Sequence, residues 1–211
     1  MSKTRVSISS GGGLLEGSLE IPEFPYPLPT VLLCHPHPLY GGNMDNKVLR
    51  VVGKKLAEKG FAVLRFNFRG VGRSQGAYDE GVGEKDDARA AFSFLIEQKE
   101  VDEKRAFILG YSFGGMIALS VAALEEKIKA VAGISPVQTE KAFAGCAKPK
   151  LIITGTNDHI VSSSLILQHI ERAGGLSETR TELKTIEHAD HYWHGFEEEL
   201  GEIIADFFTV L

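Results

Sequence analysis

The chain has 211 residues, of which 43% are apolar and 24% charged, and its formal net charge is −5 at pH 7. A chain of this length and composition suffices for one compact domain with a sizeable core, so we expect a single domain over residues 1–211. The negative charge and the scattered Lys and Arg residues exclude the dense basic patch that nucleic-acid-binding proteins carry. We therefore expect no nucleic-acid partner.

Cysteine content and the N-terminal segment indicate the compartment. Cys34 and Cys146 are the only cysteines, and two such residues form no disulfide framework, which favours a reducing compartment. The first 13 residues, MSKTRVSISSGGG, lack the apolar core of a signal peptide, and no apolar run is as long as a membrane span. These features predict a cytoplasmic protein without a membrane span.

The chain begins with a predicted antiparallel strand pair. TRVSISS (residues 4–10) and LLEGSLEI (residues 14–21) flank a triple glycine and alternate imperfectly between apolar and polar residues. A proline-rich connection, PEFPYPLP, follows them.

Strand-like and helical patterns then alternate to the end of the chain. The apolar runs are residues 30–35, 62–68, 105–111, 129–135, 150–156 and 181–187. The helical patterns are residues 44–60, 83–100, 113–126, 162–175 and 194–211. Nearly all-apolar strands that alternate with helices predict a parallel sheet covered on both faces. We therefore predict an α/β fold, with about eight strands once the N-terminal pair is counted.

A candidate nucleophile lies in GYSFGG, residues 110–115. Ser112 stands between a buried strand and a helix, and Gly110 and Gly114 leave room for the sharp turn that a nucleophile elbow needs. Such a turn holds the hydroxyl above the carboxyl ends of the strands, where α/β sheets bind ligands, and the first helical N–H groups point to the same place. A second G-x-S-x-G motif contains Ser74, but its surroundings predict a loop.

A serine nucleophile needs a base and an acid that orients this base. Asp158, in GTNDHIV, follows an apolar run and is the predicted acid. The loop EHADHYWHG offers His188, His191 and His194 as the base. We favour the mid-loop His191, because His188 abuts the strand and a cation at His194 would lie at a helix N-terminus. Asp190 is interpreted as the N-cap of the closing helix.

The loop CHPHPLYGG is expected to supply one half of an oxyanion hole. Its two prolines have no N–H group, so the donor is the backbone of His37 or of Leu39 or a later residue. We favour His37, with the N–H group of Phe113 as the second donor. The imidazole rings of His35 and His37 are interpreted as bracing the loop.

Three side chains, those of Leu39, Tyr40 and Tyr111, are the predicted substrate-binding residues. We expect neither a metal nor a cofactor.

Five segments in this order, CHPHPLYGGNMDNKV, FNFRGVGRSQG, GYSFGG, GTNDHIV and ADHYWHG, resemble the α/β-hydrolase superfamily, in particular its compact bacterial members related to dienelactone-hydrolase-like esterases. The resemblance covers nearly the whole chain and implies Ser112 as nucleophile, Asp158 as acid and His191 as base. Asn67 stands where many relatives have aspartate. The chain has serine where dienelactone hydrolase itself has a cysteine nucleophile. This difference weighs against the substrate of dienelactone hydrolase as the substrate of this chain.

Many hydrolases of this fold carry a lid domain between the strands at residues 129–135 and 150–156. Here the connection is only PVQTEKAFAGCAKP, which is too short for a helical lid. This length predicts a fold without a lid domain and an open, shallow site that excludes water poorly.

The main hypothesis is a serine hydrolase that cleaves small-molecule carboxylic esters or thioesters through an acyl-enzyme on Ser112. One alternative is a peptidase or amidase of the same fold, and another is a non-catalytic binding module on the hydrolase scaffold. A third is a metal-dependent hydrolase that uses His188, His191 and His194 with Asp190. The sequence gives no indication of the oligomeric state.

Overall fold

The computed structural model describes residues 2–137, 140–178 and 180–211. Within them lies one sheet of eight strands in the order β1-β2-β4-β3-β5-β6-β7-β8. The strands are β1 (Ser2–Ser10), β2 (Gly13–Ile21), β3 (Leu28–Cys34), β4 (Ala62–Phe66), β5 (Val101–Tyr111), β6 (Ile128–Ile134), β7 (Lys150–Gly155) and β8 (Thr181–Ile186). The β1–β2 and β2–β4 pairs are antiparallel and the other pairs are parallel. The predicted α/β fold and its antiparallel N-terminal pair are confirmed.

Helices follow the strands from β3 onward. They are α1 (Lys47–Glu58), α2 (Val82–Ile96), α3 (Phe113–Leu124), α4 (Glu140–Gly145), α5 (Ser163–Arg172), α6 (Gly175–Glu178) and α7 (Glu197–Thr209). The side chain of Asn46 accepts the N–H of Val48 at the start of α1, and Gly60 just beyond its end is left-handed, with φ 88°. Asn46 is an ordinary signal for the start of a helix and Gly60 for its end. For this reason the helical pattern predicted over residues 44–60 lies close to the observed helix.

Apolar side chains pack in two layers, one on each face of the sheet. Helices α1 and α7 cover one face, where Leu49, Val52 and Ile204 are fully buried against strand residues. The other face carries α2, α3, α4 and α5, represented by Phe92, Ile117 and Ile166. The expected covering of both faces is confirmed, and the central strands are buried along nearly their whole length.

In its described residues, the connection between β6 and β7 contains only the short helix α4. Residues 138 and 139 of this connection lie outside the described residues. Phe143 is buried in the layer beside α3 and α5, so this part of α4 packs onto the body of the fold. The described part of the connection holds no lid domain, as its length predicted.

The start of the closing helix differs from the prediction. α7 begins at Glu197, so Asp190 is not its N-cap and His194 does not begin it. Trp193 and Gly195 are left-handed, with φ 61° and 85°, and this conformation stops a helix from forming earlier. Asp190 instead accepts the N–H of Tyr192 at 2.9 Å, a local turn of the kind that aspartate often stabilises.

The turn at Ser112 is packed against the backbone of neighbouring segments. A Cβ atom on Gly110 would lie 1.9 Å from the carbonyl oxygen of Gly114. A Cβ atom on Gly114 would lie 2.2 Å from the carbonyl oxygen of Cys34, at the end of β3. Only glycine permits this approach, which sets the spacing between the turn and the loop that follows β3.

His35 joins the loop after β3 to the segment that follows β4. Its ring is fully buried, donates from Nδ1 to the Pro36 carbonyl at 2.6 Å and accepts the Phe68 N–H on Nε2 at 3.0 Å. Because Nε2 accepts, the ring is the neutral Nδ1–H tautomer. Burial lowers the pKa of His35 to about 4, although the hydrogen bond to Pro36 acts in the opposite direction. The ring braces the loop in this neutral form.

Gly114→Ala is expected to lower the free energy of unfolding by about 1 to 3 kcal/mol, because the backbone must move apart to admit the methyl group. Gly145→Ala is the matched control, since the nearest atom to its added Cβ is 3.8 Å away. Urea denaturation of both variants measures the difference. Equal stability of the two variants would contradict the tight packing at Gly114.

The stability of the protein is expected to depend on the protonation of His35. An unfolded histidine takes up a proton near pH 6.5, whereas the folded one does so only near pH 4. Between these values the unfolded chain binds more protons, so the free energy of unfolding falls as the pH falls. His35 contributes about 3 kcal/mol to this fall.

His35→Gln, which cannot be protonated, is the comparison for this effect. Urea denaturation of both proteins from pH 7 to pH 4 should give a steeper decline for the native chain. Parallel declines would mean that His35 is protonated as easily in the folded protein as in the unfolded one.

Candidate active site

Three side chains from different loops form a chain of hydrogen bonds at the carboxyl edge of the sheet. The Nε2 atom of His191 lies 3.1 Å from the Ser112 hydroxyl, and its Nδ1 atom lies 2.9 Å from Oδ2 of Asp158. Ser112 follows β5, Asp158 follows β7 and His191 follows β8. The three residues are buried, each at most 8% exposed. The structure thus brings together the three residues that the sequence singled out.

The backbone at Ser112 has an unusual conformation. Its φ of 55° lies in the left-handed region, which non-glycine residues seldom adopt. Its N–H donates to the Ile134 carbonyl at 2.8 Å, and its own carbonyl accepts the Gly115 N–H at 2.9 Å. The hydroxyl forms no cap on α3 and is directed to His191 instead. A strained residue held in this way is characteristic of functional sites.

Asp158 is held as a carboxylate that orients His191. Its Oδ1 atom accepts the N–H groups of Ile160 and Val161 at 2.9 and 2.7 Å, which leaves Oδ2 for the imidazole. Burial acts to raise the pKa of Asp158, but hydrogen bonds, first from His191 and then from the Val161 N–H, outweigh it and hold the pKa below its usual value. An ionised Asp158 favours the proton on Nδ1 of His191, so that Nε2 can accept from Ser112.

Ser135 is a neighbour of this carboxylate that the sequence did not single out. It directly follows β6, has φ 40° and is fully buried. Its hydroxyl makes no geometrically good hydrogen bond within the described residues, yet it faces Asp158 and helps to lower the pKa of that residue. The position of Ser135 after a central strand was the available signal.

The loop that carries His191 is fastened on both sides. The Ala189 carbonyl accepts the Asn157 N–H at 3.0 Å, which ties the loop to the segment after β7. The His191 carbonyl accepts the Tyr111 hydroxyl at 2.6 Å, which ties it to the end of β5. Trp193 is fully buried beneath the loop. These contacts fix the backbone on either side of the imidazole.

The backbone N–H groups of His37 and Phe113, near Ser112, are among those that have no hydrogen-bond partner in the part of the chain that the structure describes. The Leu39 N–H, the sequence-based alternative to His37, instead donates to Nδ1 of the His37 ring at 3.2 Å. Because Nδ1 accepts, Nε2 of His37 carries the proton toward the Tyr78 hydroxyl, 3.2 Å away. The His37 ring therefore braces its own loop, and burial lowers its pKa.

Ser112 and His191 open into a cleft with a volume of about 490 Å³. Of the predicted substrate-binding residues, Tyr40 and Tyr111 line this cleft, whereas Leu39 is 67% exposed and is not among the lining residues. The single 3-10 turn at Pro38–Tyr40 accounts for the difference, because neighbouring side chains on it point in different directions.

The walls of the cleft are largely aromatic and aliphatic. The lining residues that the sequence did not single out are Pro36, Gly41, Gly42, Asn46, Val137, Ile160 and Tyr192. Ile160 and Tyr192 lie in the loops that hold Asp158 and His191. Their closeness in sequence to these two residues could have predicted that they line the cleft. Within residues 2–137, 140–178 and 180–211, the lining includes no Asp, Glu, Lys or Arg side chain.

The three histidines considered as alternative metal ligands each contact a different acidic residue. His188 and His194 are exposed and pair with Glu187 and Asp190 at 3.5 and 3.4 Å. Among the described residues, no group of three or more His, Cys, Asp or Glu side chains is arranged to hold a metal ion. The same residues contain no helix with the length and apolar character of a membrane span.

Comparison with known proteins places the fold. The family model of the α/β hydrolase fold matches residues 29–147. An uncharacterized protein of Rickettsia prowazekii is 40% identical over 190 residues, which cover 87% of this chain and 79% of that protein.

Solved structures give the same result. An α/β serine hydrolase homologue from Coxiella burnetii superimposes with a TM-score of 0.86 at 33% identity, over 98% of both chains. A protein of Xanthomonas campestris, described as an α/β serine hydrolase without a lid, gives a TM-score of 0.83 at 29% identity, over 98% of this chain and 93% of that one. The family match, the strand order and the shared lidless architecture show that this chain belongs to the α/β-hydrolase family, and they support a hydrolase.

Proposed function

We propose that this protein is a serine hydrolase that cleaves small-molecule carboxylic esters or thioesters through an acyl-enzyme on Ser112. The observation that carries the proposal is the unbroken chain of hydrogen bonds from Ser112 through His191 to Asp158, at the floor of an open cleft. This arrangement supplies a nucleophile, a base in reach of its proton and an ionised acid that orients the base.

The proposed reaction has two halves. Ser112 Oγ attacks the carbonyl carbon while His191 Nε2 takes the hydroxyl proton, and the resulting oxyanion collapses as this proton passes to the departing alkoxide or thiolate. Water then attacks the acyl-serine, with His191 again taking a proton and returning it to Ser112. Asp158 stays ionised throughout and stabilises the imidazolium.

The proposed oxyanion donors are the N–H groups of Phe113 and His37. Both lack a partner among the described residues, and both residues line the cleft beside Ser112. Leu39 is disfavoured as a donor because its N–H already bonds the His37 ring. Donors that are free before the substrate arrives need no rearrangement when charge develops, which is the main source of their effect.

All the proposed catalytic groups come from one edge of one sheet, which supports the proposal that residues 1–211 act as a single domain. We also propose a cytoplasmic location, which the two buried and unpaired cysteines favour.

Ser112→Ala is expected to abolish labelling by a fluorophosphonate probe and to reduce ester turnover by at least about 10³-fold. Intact-mass analysis should show a single adduct on the native protein and none on the variant. Ser74→Ala, in the second G-x-S-x-G motif, is the matched control and should label like the native protein. A folded native protein that forms no adduct would contradict the proposal and favour a binding module.

The protein is expected to prefer uncharged acyl groups, because the described cleft walls offer no side chain to pair with a substrate charge. A suitable pair is para-nitrophenyl pentanoate and the para-nitrophenyl half-ester of glutarate, in which a carboxylate replaces the terminal methyl group. We expect kcat/KM to be at least about tenfold higher for the neutral ester. Equal values would mean that a cationic group reaches the acyl chain.

A further inference from the structure

Tyr111 directly precedes the proposed nucleophile, and its hydroxyl donates to the backbone carbonyl of His191 at 2.6 Å. It is the last residue of β5, where it pairs with Ile134 of β6. Its side chain is only 3% exposed. This contact joins the strand that precedes Ser112 to the loop that carries His191. It is independent of the two hydrogen bonds between the proposed catalytic side chains.

We propose that Tyr111 is a positioning residue that holds the proposed base at its working distance from Ser112. The inference rests on the proposed function and deepens it. It gives Tyr111 a different role from the substrate binding that the sequence suggested, because the polar end of the side chain is already engaged by the protein.

The need for such a contact follows from the conformation of the His191 loop. His188, Trp193 and Gly195 are all left-handed, so the loop has no repeating backbone structure of its own. On the Asp158 side it is held by the Asn157 N–H on the Ala189 carbonyl and by the His188 N–H on Thr156 Oγ1 at 2.8 Å. Toward Ser112, the Tyr111 hydroxyl provides the corresponding backbone contact. The imidazole is therefore fixed from both directions.

The chemistry of the hydroxyl suits this role. Burial raises the pKa of Tyr111, and the nearby charges of Asp158 and Asp190 raise it further, so the phenol remains a neutral donor at any pH at which an imidazole base functions. Without the hydroxyl, the His191 carbonyl would lose its partner in a buried position, and the loop would move to regain one.

A small displacement of the base is costly for the proposed reaction. Ser112 Oγ and His191 Nε2 are already 3.1 Å apart, and proton transfer needs contact at hydrogen-bond distance. A misplacement of about 1 Å can reduce a rate by about 10²-fold. The loss falls on the chemical step and not on substrate binding, since the hydroxyl faces the protein backbone.

The test compares Tyr111→Phe with Tyr26→Phe. Tyr26 is 59% exposed, is not among the residues that line the cleft, and makes no hydrogen bond through its hydroxyl within the described residues. For each protein we would measure the rate constant of fluorophosphonate labelling, kcat and KM for acetyl, butyryl and hexanoyl esters, and Tm.

For Tyr111→Phe we expect labelling and kcat to fall about 10- to 100-fold, by the same factor for every ester, with KM almost unchanged. Tyr26→Phe should resemble the native protein. A KM that rises with acyl length would instead establish a substrate-binding role and overturn the proposal. Native-like labelling and kcat in Tyr111→Phe would also overturn it.

A second measurement keeps the proposal testable if Tyr111→Phe folds poorly. Difluorotyrosine at position 111 retains the shape of the side chain but ionises more readily, and an ionised oxygen cannot donate to the His191 carbonyl. We expect kcat of this protein to decline at alkaline pH where the native protein does not, and an unchanged pH profile would overturn the proposal. Failure of the native protein to label, or labelling of Ser112→Ala, would instead mark failure of the proposed function itself.

Discussion

The close approach between the turn at Ser112 and the carboxyl end of β3 is the constraint on which the cleft depends. Gly114 lies against the Cys34 carbonyl, at a distance that admits no side chain. The loop after β3 therefore begins directly beside the first turn of α3. This proximity places the His37 and Phe113 rings in contact, with centroids 4.9 Å apart, and both residues in the cleft wall. A looser turn would separate the two sides of the proposed oxyanion hole.

The loops around the cleft are fixed largely by uncharged side chains that bond backbone atoms. His35 bonds the Phe68 N–H, His37 bonds the Leu39 N–H, and Tyr111 bonds the His191 carbonyl. Such contacts hold a loop without adding a net charge beside the proposed nucleophile. The ionised Asp158 also bonds backbone, through the Ile160 and Val161 N–H groups, and its other carboxylate oxygen bonds the imidazole of His191. Hydrogen bonds therefore hold the loops around the cleft in place, and the Asp158 carboxylate is the charged group that bonds His191.

Sequence patterns located most of the fold because its signals are local. Apolar runs identified the strands, and glycines flanking Ser112 identified the turn, since both depend on neighbouring residues alone. The start of α7 was placed wrongly because the left-handed residues Trp193 and Gly195 leave no distinctive pattern before a helix. The bond between Tyr111 and His191 joins residues far apart in the chain, and it depends on the path of an irregular loop that no periodicity describes.

At position 112, with its left-handed backbone, the stability of the fold and the proposed chemistry favour different residues. A non-glycine residue in this region costs about 1 to 3 kcal/mol relative to a relaxed conformation. Glycine would adopt the same turn without that cost. The residue that would make the fold most stable at this position therefore has no side chain to act as a nucleophile. The fold therefore retains a local instability at its centre, which the surrounding sheet and α3 are rigid enough to tolerate.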